Sequence, residues 1–344
     1  MRLSIYGDLM LGRDVQKSIE NRTDIFLNIG KNLKRGINIC NLEFPFVENP
    51  INNKKLFSLN KNIDFLKYFY GVTLANNHIF DQNEDGFFNT LGILDKYHIK
   101  HTGAGINKED AFFPITVDFK EISIKILGIT SIENISKSDY KFIGHYALFE
   151  DEKMIKKFIE KYRKKSNYLI VLPHMGIEYI DIPKRGIKEK YLSLIDMGFD
   201  MVVGSHPHTI QGYEVLENKY IYYSLGDFVF DNLGKLRRKS LYLNVVFDRS
   251  GVKNITNGLL SKKENLEIIQ LNDSYTEKFM KKKNFFLKIP FFYYVRFLIC
   301  KAYNQYYNLT EVCKKYGVKK FFELLFQKIL LLLKRLTIKS QVVK

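Results

Sequence analysis

Five times along this chain a short apolar run breaks off into a cluster of Asp, Glu, Asn or His, and no other feature constrains the fold as strongly. Leu3-Ser4-Ile5-Tyr6 alternates like a strand and runs into Gly7-Asp8. Residues 37–40 form a second run that ends at Asn41-Leu42-Glu43, just before Phe44-Pro45, where the proline holds the chain extended or turning. Residues 71–75 deliver Asn76-Asn77-His78 and then Asp81. The strongest strand pattern, 168–172, ends in Pro173-His174-Met175-Gly176-Ile177-Glu178-Tyr179. Met201-Val202-Val203 runs into Gly204-Ser205-His206-Pro207-His208, whose two histidines can turn toward one point above a sheet.

Between these runs the period changes. Helical patterns cover 64–69, 86–97, 153–165 and 188–197, residues 115–119 and 122–129 read as a strand pair, residues 220–228 as a strand and turn, and 241–247 as a further strand. Strands alternating with helices predict an α/β fold. In such folds ligands gather just beyond the carboxyl ends of the strands, which is where the polar clusters fall.

Six residues are therefore candidate metal ligands: Asp8, Glu43, Asn77, His174, His206 and His208. Hard oxygens mixed with imidazoles suit a dinuclear divalent centre of zinc, manganese or iron. Such a centre lowers the pKa of a bridging water and clamps a phosphoryl or acyl oxygen. Each residue also has an ordinary use. Asp8 fits an Asx-turn or helix cap, Glu43 a loop carboxylate, Asn76-Asn77 a turn with left-handed backbone, and His174 a hydrogen-bonded buried ring. Six such residues at successive strand exits set the metal reading ahead of six separate coincidences.

The ordered motifs Gly7-Asp8-Leu9-Met10-Leu11-Gly12-Arg13, Asn41-Leu42-Glu43, Ala75-Asn76-Asn77-His78, Thr102-Gly103-Ala104-Gly105, His174-Met175-Gly176-Ile177-Glu178-Tyr179, Ser205-His206-Pro207-His208 and Tyr223-Ser224-Leu225-Gly226-Asp227-Phe228 resemble the CapA-type capsule-synthesis family, associated with poly-γ-glutamate capsules. That family is similar to the calcineurin-like metallophosphoesterases, and the match covers roughly residues 1–250. The resemblance implies a β-sandwich flanked by helices with a metal centre at one rim. It places Asn77 as the metal-binding asparagine and His78 as the neighbouring histidine that aids the leaving group. It matches His174 to the lone histidine and His206 and His208 to the final pair. His78 would donate a proton to a departing alkoxide or bind the phosphoryl oxygen, oriented by Asp81, while Arg13 and the backbone amides after Gly12 would hold an anionic substrate. Asn76, Glu178 and Asp227 are further candidates. Met10 stands where the phosphoesterases carry a histidine, as is usual in the CapA-type group, and Asp227 is expected to act as an extra oxygen ligand or to orient Arg13.

The formal charge of +17 raises a nucleic-acid reading, which its distribution disfavours. From residue 258 onward there are 18 basic and 6 acidic residues, whereas the first 257 carry 36 and 31. The expected organisation is a site-bearing domain at 1–260 and a basic, aromatic, helical extension at 275–344. Its apolar stretches are interrupted by Lys288, Arg296, Lys301, Glu323 and Lys328, too often to span a bilayer. They suit a helix on an anionic membrane surface, or equally one packed on the domain or a partner. No secretory signal and no cysteine framework are visible, so the expected location is cytoplasmic, peripheral on the inner face of the membrane. Two functions follow: a metal-dependent hydrolase acting on a precursor of a cell-surface polymer, or a non-catalytic assembly or polymer-binding subunit that keeps the ligand shell.

Overall fold

The computed structural model describes residues 1–51, 55–232, 234, 237–249 and 251–288, together with 293, 295–297, 299 and 300. The chain divides into two units, Met1–Tyr293 and Tyr294–Lys344, and the first carries everything below. Residues 301–344, with most of the expected membrane-surface extension, lie outside the described residues. The helix Asp273–Lys288 belongs to the first unit. No helix among the described residues is long and apolar enough to cross a membrane.

Two large sheets make the first unit. One runs in the order Ile268–Gln270, Gly251–Lys262, Lys239–Asp248, Arg2–Leu9, Ile37–Leu42, Gly71–Thr73 and Lys100–Thr102, with Asp227–Val229 also pairing with Arg2–Leu9. The other runs Tyr213–Leu216, Lys219–Tyr222, Met201–Val203, Tyr168–His174, Ile122–Thr130 and Ile115–Phe119. Within each sheet the central strands are parallel, so their carboxyl ends open on one rim.

Alternation along each strand decides what lies between the sheets. Leu3 and Ile5 meet Ile124, Ile126, Ile170, Leu172, Met201 and Val203 in one core, which makes the pair of sheets a sandwich. Tyr6, facing the other way, joins Phe26, Leu66, Phe87 and Phe228 in a second core under the flanking helices. Each fully buried Leu or Phe of this kind contributes about 1.5–3 kcal/mol relative to exposure. The helix Asn83–Lys96 buries Phe87, Thr90 and Leu94, starts with Glu84 and Asp85 and ends with Lys96, so spacing and charge both suit its position. The helix Glu152–Arg163 is capped by Asp151, whose side chain accepts from the Met154 amide.

Two details bring the rim together. A Cβ at Gly7 would stand 1.9 Å from the Gly226 carbonyl oxygen, so only glycine lets the first strand run this close to the turn before Asp227. The stretch read as one strand and turn at 220–228 is in fact two strands in different sheets. Lys219–Tyr222 stays in the second sheet, while Asp227–Val229 crosses to pair with the first, placing Asp227 directly beside Asp8.

Candidate metal centre

The carboxyl ends of strands from both sheets converge on Asp8 and Glu43, both fully buried. Asp8 is the last polar residue of the first strand. Its Oδ1 accepts from Asn41 Nδ2 at 2.8 Å, and its Oδ2 accepts from the His206 backbone N–H at 3.3 Å. Burial alone would raise its pKa, but His174, His208 and Asn41 hold it below the usual carboxylate range. Glu43 follows the second strand and is in the opposite condition. Among the described residues, neither of its carboxylate oxygens has a hydrogen-bond partner. Burial, with Asp8 beside it, pushes its pKa well above the ordinary value.

Three imidazoles face that orphaned carboxylate. Glu43 Oε1 lies 3.7 Å from His174 Nε2, 3.6 Å from His208 Nε2 and 3.9 Å from His78 Nε2. His174 Nε2 also stands 2.9 Å from Asn77 Oδ1 and 3.2 Å from His206 Nδ1. Asp8, Glu43 and His174 bring ligand atoms within 4.8 Å of one another, close enough to share a cation, and Asn77 and His206 adjoin His174 Nε2. Behind His174, Nδ1 is 2.9 Å from Ser205 Oγ, which leaves Nε2 facing the cluster. Behind His206, Nε2 is 2.8 Å from Asn134 Nδ2. Burial lowers the pKa of both rings, for His206 with further repulsion from His174 and His208, so both are held neutral as ligands require.

His208 is held differently. Its Nδ1 is 2.7 Å from Asp227 Oδ1. Burial opposes its charge, but Asp227, Glu43 and Asp8 outweigh it and the pKa is pushed up to about 10. His206 and His208 both take positive φ, at 92° and 55°, a strain that the packed loop sustains. The loop is fixed from behind: the Ile180 carbonyl accepts from Thr209 Oγ1 at 3.0 Å and Gln211 Nε2 at 2.8 Å. Lys283 of the helix Asp273–Lys288 reaches Asp181 at 2.8 Å.

His78 sits at the mouth with a side chain about one quarter exposed, and its Nδ1 is 2.8 Å from Asp81 Oδ2. Asp81 also accepts from the Leu56 amide at 2.8 Å. Asn76 sets the turn: its amide donates to Asn41 Oδ1 and the Leu42 carbonyl, and its Oδ1 accepts from the His78 N–H. Glu178 is half-buried nearby and its charge adds to the burden on Glu43. Arg13 is not oriented by Asp227; it pairs with Asp231 and lies 5.3 Å over the Phe230 ring, itself 5.0 Å from His208. Met10 is fully buried with its sulfur accepting the Gly12 N–H at 2.9 Å.

All six residues singled out as ligands therefore meet at one rim, with His78 and Asp81 at its opening. Asn41 and Ser205, which hold Asp8 and His174, lie inside the recognised motifs but were not singled out. Asn134, in a short turn with no pattern around it, carried no signal. Neither did Arg237, whose guanidinium lies 3.5 Å over Tyr179, a ring stacked 5.5 Å from His208.

Two facing sheets carry this His, Asp, Glu and Asn cluster at their strand ends. Residues 2–232 match the model of the bacterial capsule synthesis protein PGA_cap, and the chain belongs to that family. It is 28% identical over 262 residues to the PGA biosynthesis protein CapA of Bacillus subtilis, covering 72% of this chain and 68% of the relative. It is likewise 28% identical over 249 residues to the capsule biosynthesis protein CapA of Bacillus anthracis, covering 67% of this chain and 60% of that one. Among solved structures it resembles a hypothetical protein from Thermus thermophilus, with a TM-score of 0.51 and 11% identity over 76% of this chain and all of the other. A looser likeness is to the calcineurin-like phosphoesterase YfkN of Bacillus subtilis, with a TM-score of 0.42, 12% identity and coverage of 82% and 97%.

Proposed function

We propose that the chain is a divalent-metal-dependent hydrolase of the phosphoesterase type, acting on an anionic precursor of a capsule or other cell-surface polymer. The observation that carries this reading is Glu43, a fully buried carboxylate with both oxygens unpartnered among the described residues and three imidazole nitrogens aimed at it. A buried acid in that condition is costly unless a cation joins it. Asp8 and His174, with Asn77 and His206 adjoining His174, supply further donors for manganese, zinc or iron. When bound, the ion supplies Lewis acidity and a lowered pKa for water.

The chain's own groups do the rest. Asp81 fixes the His78 ring through Nδ1, so that Nε2 points toward Glu43 at the open side, where it hands a proton to the departing oxygen. Arg13, about half exposed over Phe230, and Arg237 over Tyr179 flank His208 through those rings and hold the substrate's negative charge. The basic, aromatic residues after 300 bring the enzyme to an anionic membrane surface.

The test is hydrolysis of a panel of phosphomonoesters, phosphodiesters and γ-glutamyl amides by the full chain loaded with manganese or zinc. Turnover that disappears on chelation and returns with metal supports the hydrolase. Stable metal binding with no turnover on any member of the panel sinks it, and leaves the assembly-subunit reading in its place.

A further inference from the structure

Lys262 is the last residue of the strand Gly251–Lys262, thirty residues beyond the family match. Its side chain is 2% exposed, and Nζ stands 3.6 Å from Asp227 Oδ2. Neither Nζ nor Oδ2 has a hydrogen-bond partner among the described residues, so each is the other's compensation. The second oxygen of Asp227 is taken by His208 Nδ1 at 2.7 Å. A line of charge thus runs Lys262, Asp227, His208, and ends with His208 Nε2 3.6 Å from Glu43 Oε1.

The corner bounded by Asp8, His208 and Asp227 has the residue types for a metal ion. Its atoms are otherwise engaged. Asp227 has one oxygen on an imidazole and the other facing an ammonium. Met10, two residues after Asp8, offers only a thioether, and that sulfur is occupied by the Gly12 N–H. A second divalent ion here would sit beside a buried ammonium and would have to draw Asp227 away from it, leaving that charge uncompensated.

We propose that the centre takes a single divalent ion, in the corner made by Asp8, Glu43 and His174, and that Lys262, acting through Asp227, is the fixed positive charge where a second ion would otherwise sit. This rests on the reading of the cluster as a metal centre. It makes Lys262 a positioning residue, which holds Asp227 against His208 and keeps Asp227 from ligation.

Manganese(II) alone is the probe. The full chain, stripped with chelator and reloaded, is measured by elemental analysis and by electron paramagnetic resonance. One ion per chain with an uncoupled six-line spectrum is the expected result. Two ions, or an exchange-coupled spectrum, overturn the proposal, whereas no retained ion refutes the metal centre itself. In Lys262→Met the freed Asp227 is expected to raise the count from one to two; a count that stays at one removes Lys262 from the argument. Should that variant not fold, Lys262→Met/Asp227→Asn decides the pairing, because both charges leave together. A folded double variant holding one ion supports it, and a double variant that also fails to fold overturns it.

Discussion

The two corners on either side of Asp8 use the same side chains and settle their charge in opposite ways. At Glu43 a carboxylate is buried with both oxygens without a hydrogen-bond partner among the described residues, and the ring nitrogens of His174, His208 and His78 lie 3.6 to 3.9 Å from one of them. At Asp227 a carboxylate just as deeply buried is closed off by His208 on one oxygen and Lys262 on the other. Burial and residue type do not separate a ligand from a structural acid. The state of the second partner does: Glu43 waits for a cation from solution, and Asp227 already has one from the chain.

The largest expected effect separates the corners directly. Glu43→Gln is expected to leave no metal bound after gel filtration, while the metal-free protein melts at least as high as the parent, because the change removes a buried acid that has no hydrogen-bond partner among the described residues. Asp227→Asn is expected to lower metal-free stability by about 3–5 kcal/mol, the loss typical when one member of a buried pair is removed. Chemical denaturation of both variants without metal checks this. If the two lose stability equally, the distinction between the corners is wrong.

Next in size is the effect of the mouth. His78→Ala is expected to cut kcat by about 100- to 1000-fold, the usual scale for a general acid, with the metal count unchanged. Unlike His174, His206 and His208, His78 is partly exposed, and among the described residues Asp81 is the acid that lies within 3 Å of its ring. Loss of metal together with activity would move His78 into the ligand set and erase the division between mouth and floor.

Legibility in the sequence follows a similar line. Asp8, Glu43, Asn77, His174, His206 and His208 each follow a short apolar run within a few residues, so a local pattern locates them and an α/β sandwich rim collects them. Lys262 reads as part of the charged run Lys262-Lys263-Glu264 and looks solvated. Only its place at the end of the strand Gly251–Lys262, paired with Lys239–Asp248 and Ile268–Gln270, buries it. Apart from Val252 and Ile255, that strand is polar up to Leu259 and Leu260, which come too late to announce it. The crossing at Asp227–Val229 was hidden for the same reason: pairing with a strand more than two hundred residues away leaves no local trace. Asn134 sits in a three-residue turn, and its side chain is placed by contacts with Gly176 and His206.

The smallest expected effect is graded by pH and concerns protons at the two corners. In the metal-free chain His174 and His206 are already pushed toward neutrality, so neither has a proton to give up. Burial and Asp8 raise the Glu43 pKa well above the ordinary carboxylate value, so ligation must displace any proton it holds. Because its folded pKa lies above its unfolded value near 4.5, that proton favours the metal-free fold below this value, and the contribution is lost as pH rises through the folded pKa. His208 follows the same sign at higher pH: its contribution is full below 6.5 and lost as pH passes about 10. Metal affinity is therefore expected to rise by about tenfold per pH unit for the one proton lost from Glu43, over the range in which that carboxyl is still protonated. Calorimetric titration in two buffers of different ionisation enthalpy counts the protons. One per ion assigns the displacement to Glu43 and keeps His208 with Asp227; two bring His208 into the ligand set. An affinity flat with pH would mean that Glu43 was ionised all along, and that the contrast between an open and a closed acid does not exist.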